Sequence, residues 1–274
     1  MTMIDTNTSR PPAVAGLFYP AERDDLEQTV KGLLASAGTP AALRPPKAII
    51  APHAGYIYSG PIAASAYALI GPLRGRIKRV VLLGPTHRVA VRGLALPGCR
   101  WFETPLGRVE VDEAAVALLR GLPQVTTSAA AHEQEHSLEV HLPFLQTLLG
   151  DFKLVPLAVG YADPADVAAV LDALWGGDET LVVVSSDLSH YLGYAEAQRV
   201  DRTTAEAIVE LRTDIDHDCA CGATPVTGLA LTAQRRGLRA SLVDLRNSGD
   251  TAGDRARVVG YGAFAFYEGA GNAS

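Results

Sequence analysis

The sequence predicts an α/β fold: a mixed, mostly parallel sheet flanked by helices, in a single domain over residues 1–274. Three observations predict it. Apolar β-branched runs alternate with stretches of helical period, the pattern of successive βαβ units. Several of those runs, at 48–51, 79–83 and 181–184, are continuously apolar, which suits parallel strands covered on both faces. No internal repeat, low-complexity tract or Gly/Ser linker divides the chain.

Taken in order, Ala48-Ile49-Ile50-Ala51 reads as a buried strand, followed by the loop PHAGYIYSG and a small-residue helix over 61–70 that Gly71-Pro72 closes. The strand at 79–83 comes next. Residues 93–112 carry Trp101-Phe102-Glu103-Thr104-Pro105-Leu106-Gly107 between two strand-like stretches, which predicts a hairpin decorating the main sheet. Helical spacing recurs over 111–119 and 137–149, a strand follows at 152–159, and a helix over 164–174 opens after Asp163 with proline first. After the strand at 181–184 the pattern predicts helices over 194–211 and about 222–234, then strands at 238–245 and 257–267, the last suited to antiparallel pairing. The ends, 1–10 and 269–274, read as mobile polar tails.

Composition narrows the function classes. With 48% hydrophobic and 20% charged residues in 274, the chain can bury a sizeable core. Twenty-four basic residues against thirty acidic ones give a net charge of −6, and the basic residues are scattered, so no nucleic acid partner is expected. The chain opens with no basic stretch leading into an apolar run, and no segment reaches the ~18 apolar residues of a membrane span. The expected location is therefore cytoplasmic, away from membranes. Three cysteines, Cys99, Cys219 and Cys221, are too few for a disulfide framework and leave a reducing compartment with metal or redox use.

The histidines are the informative residues. His53 follows AIIAP, His87 follows VVLLGPT, and Asp187 and His190 follow LVVVSS, all just past the C-terminal ends of expected strands. Ligands and catalytic groups collect at that edge of an open α/β sheet. Each alone could cap a helix or meet water; together they predict a crevice holding three imidazoles and a carboxylate. A metal is the simplest use, since neutral imidazole is the commonest protein ligand. Cys221 is the natural anionic partner, because the expected start of the following helix favours thiolate, although a small residue packing a helix start fits the position equally well. Asp187 and His190 are spaced i, i+3, so the aspartate can orient the imidazole as a general acid or base beside the metal; a simple N-cap is the alternative for Asp187.

His132-Glu133-Gln134-Glu135-His136 matches the H-E-x-x-H pattern of zinc peptidases, which needs both histidines on one helical face. The expected helix begins only at Ser137, so the context is wrong for a peptidase. His136 and His141 can still reach the crevice from that helix start, or simply cap and pack. No G-x-G-x-x-G loop after a strand, G-x-x-x-x-G-K-[ST] loop or G-x-S-x-G elbow is present, so NAD, ATP and serine-hydrolase readings lack support.

At these same residues the sequence resembles the Memo family, the bacterial and archaeal relatives of the mediator of ErbB-driven cell motility, also called AmmeMemoRadiSam system protein B. The resemblance rests on RPPAVAGLFYP from Arg10, IIAPHAGYIYSG from Ile49, LLGPTHRV from Leu82, EHSLEVHLPFLQ from Glu135, SSDLSHY from Ser185, and Cys221-Gly222 with Pro225. It implies a fold similar to class III non-haem iron extradiol dioxygenases (LigB-like), a metal on His53, His87 and Cys221, and Asp187 and His190 close by. Fe(II) is the metal it implies first. The dioxygenases carry a carboxylate as third ligand; a softer thiolate here widens the choice to copper or zinc, so ring cleavage does not follow from fold alone.

The expected function is a mononuclear metal centre in a redox enzyme of dioxygenase type, acting on a small-molecule or peptide-borne substrate. The competing expectation is a non-catalytic module that holds a metal or a phosphopeptide and works through partners. The family's name points to AMMECR-domain and radical-SAM proteins as those partners.

Overall fold

A computed structural model of the chain describes residues 5–38 and 45–269. Its twelve strands form one sheet, whose parallel centre is made by β2 (Ala48–Ala51), β3 (Arg79–Pro85), β6 (Gly107–Val111), β8 (Lys153–Val159) and β9 (Thr180–Ser185) in the order β6-β8-β3-β9-β2. The chain thus has the mixed, mostly parallel α/β architecture that its apolar runs predict. All four residues of β2 and all six of β9 are buried, as continuous Val/Ile/Leu runs require in strands covered on both faces.

The flanks are antiparallel. On one side β12 (Val258–Tyr267) joins β2 and also pairs with β11 (Arg239–Asn247) and the short β10 (His190–Leu192). On the other, β5 (Cys99–Thr104) and β6 form the expected hairpin, closing at Thr104↔Gly107. The small strands β4 (Leu94–Leu96) and β7 (Val125–Thr127) pair with each other, β4 also lying on β8.

Helices α1 (Arg23–Ala37), α2 (Tyr56–Ala68) and α5 (Leu142–Leu149) pack together, with α2 seated on β2, β11 and β12. A second group joins α3 (Glu113–Leu119) to α6 (Pro164–Leu174) and α6 to α8 (Ala223–Arg236), which lies against β3 and β9. The helix α7 (Tyr194–Val209) covers β11 and β12. Gly228 lets α6 and α8 touch: a Cβ there would lie 2.4 Å from a Val167 methyl.

Four details depart from the sequence pattern, each for a physical reason. Residues 5–10 of the expected N-terminal tail form the edge strand β1 (Asp5–Arg10), parallel to β5, with the Ser9 hydroxyl donating to Glu103 at 2.7 Å; the remainder of the two tails, 1–4 and 270–274, lies outside the described residues. The helix expected from Pro61 begins at Tyr56 and carries the proline inside it, since the amide that proline lacks leaves only the Ile57 carbonyl without its i+4 donor. The helix expected from 137 starts only at Leu142, after a 3-10 turn at Glu139–His141, since Ser137 is bonded elsewhere: its amide donates to Glu135 and its hydroxyl to the Pro85 carbonyl. The short helix α4 (Ala129–Glu133), capped by the Ser128 hydroxyl, has no counterpart in the apolar pattern. Among the described residues no helix is long and apolar enough to cross a membrane.

Candidate metal centre

The register of the central strands assembles the site. Ala51 pairs with Ser185, and Leu83 with Val184, so β2, β3 and β9 end side by side and their loops carry His53, His87 and Asp187 to one place. The His53 and His87 rings lie 5.2 Å apart. Cys221 comes from the turn before α8, and its Sγ is 3.4 Å from His53 Nε2. Gly222 permits this approach: a Cβ there would stand 2.6 Å from the Ser185 carbonyl oxygen.

A fourth side chain joins them. His136 stacks on His87 at 4.6 Å and meets His53 edge-on at 5.4 Å. One ring nitrogen from each of His53, His87 and His136 falls within a set whose members are all within 4.8 Å of one another. Phe18 covers the outer side of His136 at 4.8 Å. The H-E-x-x-H pattern therefore does not act as one motif. Its helix ends at Glu133, and the buried His132 turns away, bonding the Ala95 carbonyl through Nε2 at 2.8 Å. His141 is likewise a packing residue, held by the Tyr67 hydroxyl at 2.8 Å.

Hydrogen bonds orient two of the rings. The Ser185 hydroxyl donates its one hydrogen to the Ser137 carbonyl at 2.6 Å, so at its 2.5 Å contact with His53 Nδ1 it accepts. The hydrogen of neutral His53 is thereby on Nδ1 and the lone pair on Nε2, facing Cys221. Glu135 does the same for His87, taking the backbone N–H on Oε2 at 2.5 Å and Nδ1–H on Oε1 at 2.8 Å. Burial opposes the charge on Glu135, but the bonds from His87 and Ser137 prevail and hold its carboxyl down at about 2. Both rings thus present an Nε2 lone pair, the form a metal requires. Burial, with the neighbouring imidazoles, keeps His53 well below its usual pKa, and burial keeps His136 down at about 4.

The two acidic groups behave differently from the sequence expectation. Cys221 is not a ready thiolate: burial, then the Asp187 charge, push its thiol up to about 12, outweighing the amide of Gly222 at the start of α8. A metal must displace that proton to use the sulfur. Asp187 does not orient His190. Its Oδ1 accepts the His53 backbone N–H at 2.7 Å, and burial raises its carboxyl to about 7. His190 instead is bonded to the backbone of Leu188, at the bulge where β10 meets β12. Asp187 is thus a brace for the His53 loop, and its amide also donates to Cys221 Sγ at 3.3 Å.

The segment after α4 is itself pinned from below. Arg10, 5% exposed, donates to the carbonyls of His132 at 2.8 Å and Glu135 at 2.6 Å and to the Glu139 carboxylate. Glu139 in turn accepts from the amides of Ala13 and Val14 and from Tyr19 Oη, so the strap 10–19 and the His136 loop form one unit. Beyond His87 and Cys221 a cleft of about 770 Å³ opens between the loops after β3 and β8 and the turn before α8, with Arg88, Asp163, Asp166, His217 and Thr224 in its walls. That volume suits a small-molecule ligand.

Sequence reasoning names His53, His87, Asp187, His190 and Cys221, and the structure brings all five to the C-terminal ends of β2, β3 and β9. It underrates His136 and misses Ser185, Ser137 and Glu135. Ser185 had a legible signal, as the polar residue ending the apolar run TLVVV. Glu135 had none, because its partner lies 48 residues away.

Three comparisons place the chain among known proteins. The Memo-like protein family matches residues 10–265. A MEMO1 family protein of Aeropyrum pernix is 37% identical over 282 residues, covering 93% of this chain and 98% of its own length. One of Aquifex aeolicus is 35% identical, covering 92% and 97%. The crystal structure of an uncharacterized protein from Escherichia coli K12 superposes with a TM-score of 0.52 over 79% of this chain and 98% of its own, at 14% identity, a likeness of fold. With the family matched across almost its whole length, and relatives above 30% identity from end to end, this chain belongs to the Memo-like family.

Proposed function

We propose that this protein holds a single metal ion, iron or copper, at His53 and His87 with Cys221 and His136 beside them, and uses it in a redox reaction related to those of extradiol dioxygenases. The observation that carries the reading is the tautomer of the two rings: separate hydrogen-bond chains, through Ser185 and through Glu135, leave both Nε2 lone pairs toward one point. His132 and His141 are also bonded through one ring nitrogen each, but neither belongs to the set of nitrogens that converge. The donor chemistry fits a borderline metal, with imidazoles on every side and one sulfur whose loss of a proton adds a soft, anionic ligand.

The metal would supply Lewis acidity and electron transfer; the chain's own residues do the rest. His190, half-buried and kept below its usual pKa by burial, is suited to accept a proton near neutral pH. Asp187 fixes the His53 loop, and Phe18 shields the outer face of His136. The cleft beside His87 and Cys221 is where a small or peptide-borne substrate reaches the centre. AMMECR-domain and radical-SAM proteins, named in the family's alternative title, are the partners to test first.

Elemental analysis of untagged protein purified without oxygen tests this. We expect about one iron or copper per chain in the wild type and a loss of at least tenfold in His53→Ala and Cys221→Ser, with His136→Ala showing whether the third imidazole is a ligand. A wild type that stays empty after exposure to Fe(II), Cu(I) and Zn(II) would overturn the reading and favour a metal-free binding module. With metal present, no oxygen uptake across a catechol panel would remove the dioxygenase comparison and leave the metal site standing.

A further inference from the structure

Two ligand histidines of the same type are backed by groups of different charge. Behind His53 stands the neutral Ser185 hydroxyl, which passes its hydrogen on to the Ser137 carbonyl. Behind His87 stands the Glu135 carboxylate, 1% exposed, with both oxygens engaged by His87: Oε2 by the backbone N–H and Oε1 by Nδ1–H. Among the described residues the side chains that meet that carboxylate are the imidazoles of His87 and His136, and the Ser137 amide completes its contacts at 2.9 Å. Arg10, the nearest guanidinium bonded to this residue, reaches its backbone carbonyl and gives its charge to Glu139. The negative charge of Glu135 is therefore directed into the centre chiefly through His87, with His136 beside it.

We propose that Glu135 is a positioning residue that sets the donor strength of His87 and favours the higher charge state of whatever metal the centre holds. The inference rests on the metal reading above and deepens it. A buried anion one ring away from a cation is poorly screened by water or salt, so its attraction grows with each added positive charge on the metal. It also pulls on the Nδ1 hydrogen, which makes Nε2 a better donor, and the higher oxidation state gains most from a better donor. Ser185 orients His53 equally well but, being neutral, stabilises both charge states alike. Stacking of His136 on His87 at 4.6 Å, with Nδ1 3.4 Å from Glu135 Oε1, keeps the carboxylate on the site side of the loop.

Copper is the probe that reads this, because both of its charge states can be titrated into the same full-length protein. Dissociation constants for Cu(I) and Cu(II) are measured by chelator competition, and the midpoint potential by spectroelectrochemistry, in the wild type, Glu135→Gln, Glu135→Asp and Ser185→Ala. Glu135→Gln is expected to weaken Cu(II) by about 10–100-fold and Cu(I) much less, moving the potential upward. Glu135→Asp, which keeps the charge, restores most of the Cu(II) affinity. Ser185→Ala weakens both states by a similar factor and leaves the potential in place.

Equal weakening of both states in Glu135→Gln, with an unmoved potential, would show a purely structural residue and overturn the proposal while leaving the metal centre intact. Should the glutamine variant not fold, the metal-free wild type decides: nitrogen-15 NMR must show His87 with its hydrogen on Nδ1 in a strong hydrogen bond, and the opposite tautomer overturns the proposal. A wild type that binds neither copper state fails at the earlier reading, and this one falls with it.

Discussion

The two ends of the same parallel strands are built on opposite rules. At the N-terminal end, Lys47 is 8% exposed and its ammonium donates to the carbonyls of Gly177 at 2.5 Å and Thr180 at 2.8 Å, while the Trp175 ring covers it at 5.3 Å. Two carbonyls and a ring, all fixed in the fold, hold that charge. At the C-terminal end, His53 and His87 are held just as firmly through Nδ1, yet each keeps an Nε2 lone pair toward a shared space. Burial and hydrogen bonding therefore do not separate fully bonded polar residues from those that keep a free donor atom here. What separates them is whether the bonding leaves a donor atom aimed at a point where several others converge.

If that distinction holds, variants at closed groups should cost stability, and variants at open ones should cost ligand. The largest effect is expected from Arg10→Ala, which strands the fully buried Glu139 carboxylate; chemical denaturation should show a loss of about 3–5 kcal/mol. Next is Asp201, 2% exposed on α7, whose carboxylate accepts the Ser189 amide at 3.0 Å and among the described residues enters no ion pair. Burial raises it from 3.8 to about 6 in the fold, so its contribution is fully present below pH 3.8 and is lost as pH rises through about 6. The difference in stability between wild type and Asp201→Asn should accordingly move against the wild type by up to about 3 kcal/mol across that window, one pKa unit being about 1.4 kcal/mol. A difference that stays flat with pH would show the carboxyl ionised throughout.

Lys47→Met removes a closed cation without opening a cavity. We expect a loss of about 1–3 kcal/mol from the two carbonyls that lose the ammonium, of which Gly177 keeps the Thr180 amide, and unchanged metal content. The smallest stability effect belongs to Cys221→Ser, within about 1 kcal/mol in the metal-free protein, because the thiol's contacts are long: 3.4 Å to His53, 3.3 Å from the Asp187 amide and 3.6 Å to the Asp187 carbonyl. Its metal content should nonetheless fall by the factor stated above. If Cys221→Ser instead unfolds the chain, or Lys47→Met empties the site, the contrast between the two edges is wrong.

How much of this the sequence shows depends on how far apart the partners lie. The strands β2, β3, β8 and β9 and the helices α6 and α8 are legible because their signals, apolar runs, a proline at a helix start and capping residues, are local. The early start of α2 ahead of its internal Pro61, the edge strand β1 and the broken start of α5 are not, since each depends on what the backbone meets elsewhere in the fold. The site divides in the same way. That His53, His87 and Asp187 follow strand ends can be argued from position alone; that those strands are neighbours, and that Asp187 braces His53 and not His190, cannot.

By itself, then, the sequence determined the α/β class and pointed to one edge of the sheet and five candidate residues for it, because hydrophobic period and strand ends are properties of short stretches of chain. Only the tertiary structure decided the tautomers of the two imidazoles, the arrival of His136, and the protonated state of the Cys221 thiol. The tautomers follow from Glu135, Ser137 and Ser185, residues brought to the site across 48 and more positions of chain, and the thiol's proton from burial beside Asp187. Charge and hydrogen bonding act through space, and no local pattern records who the neighbour will be.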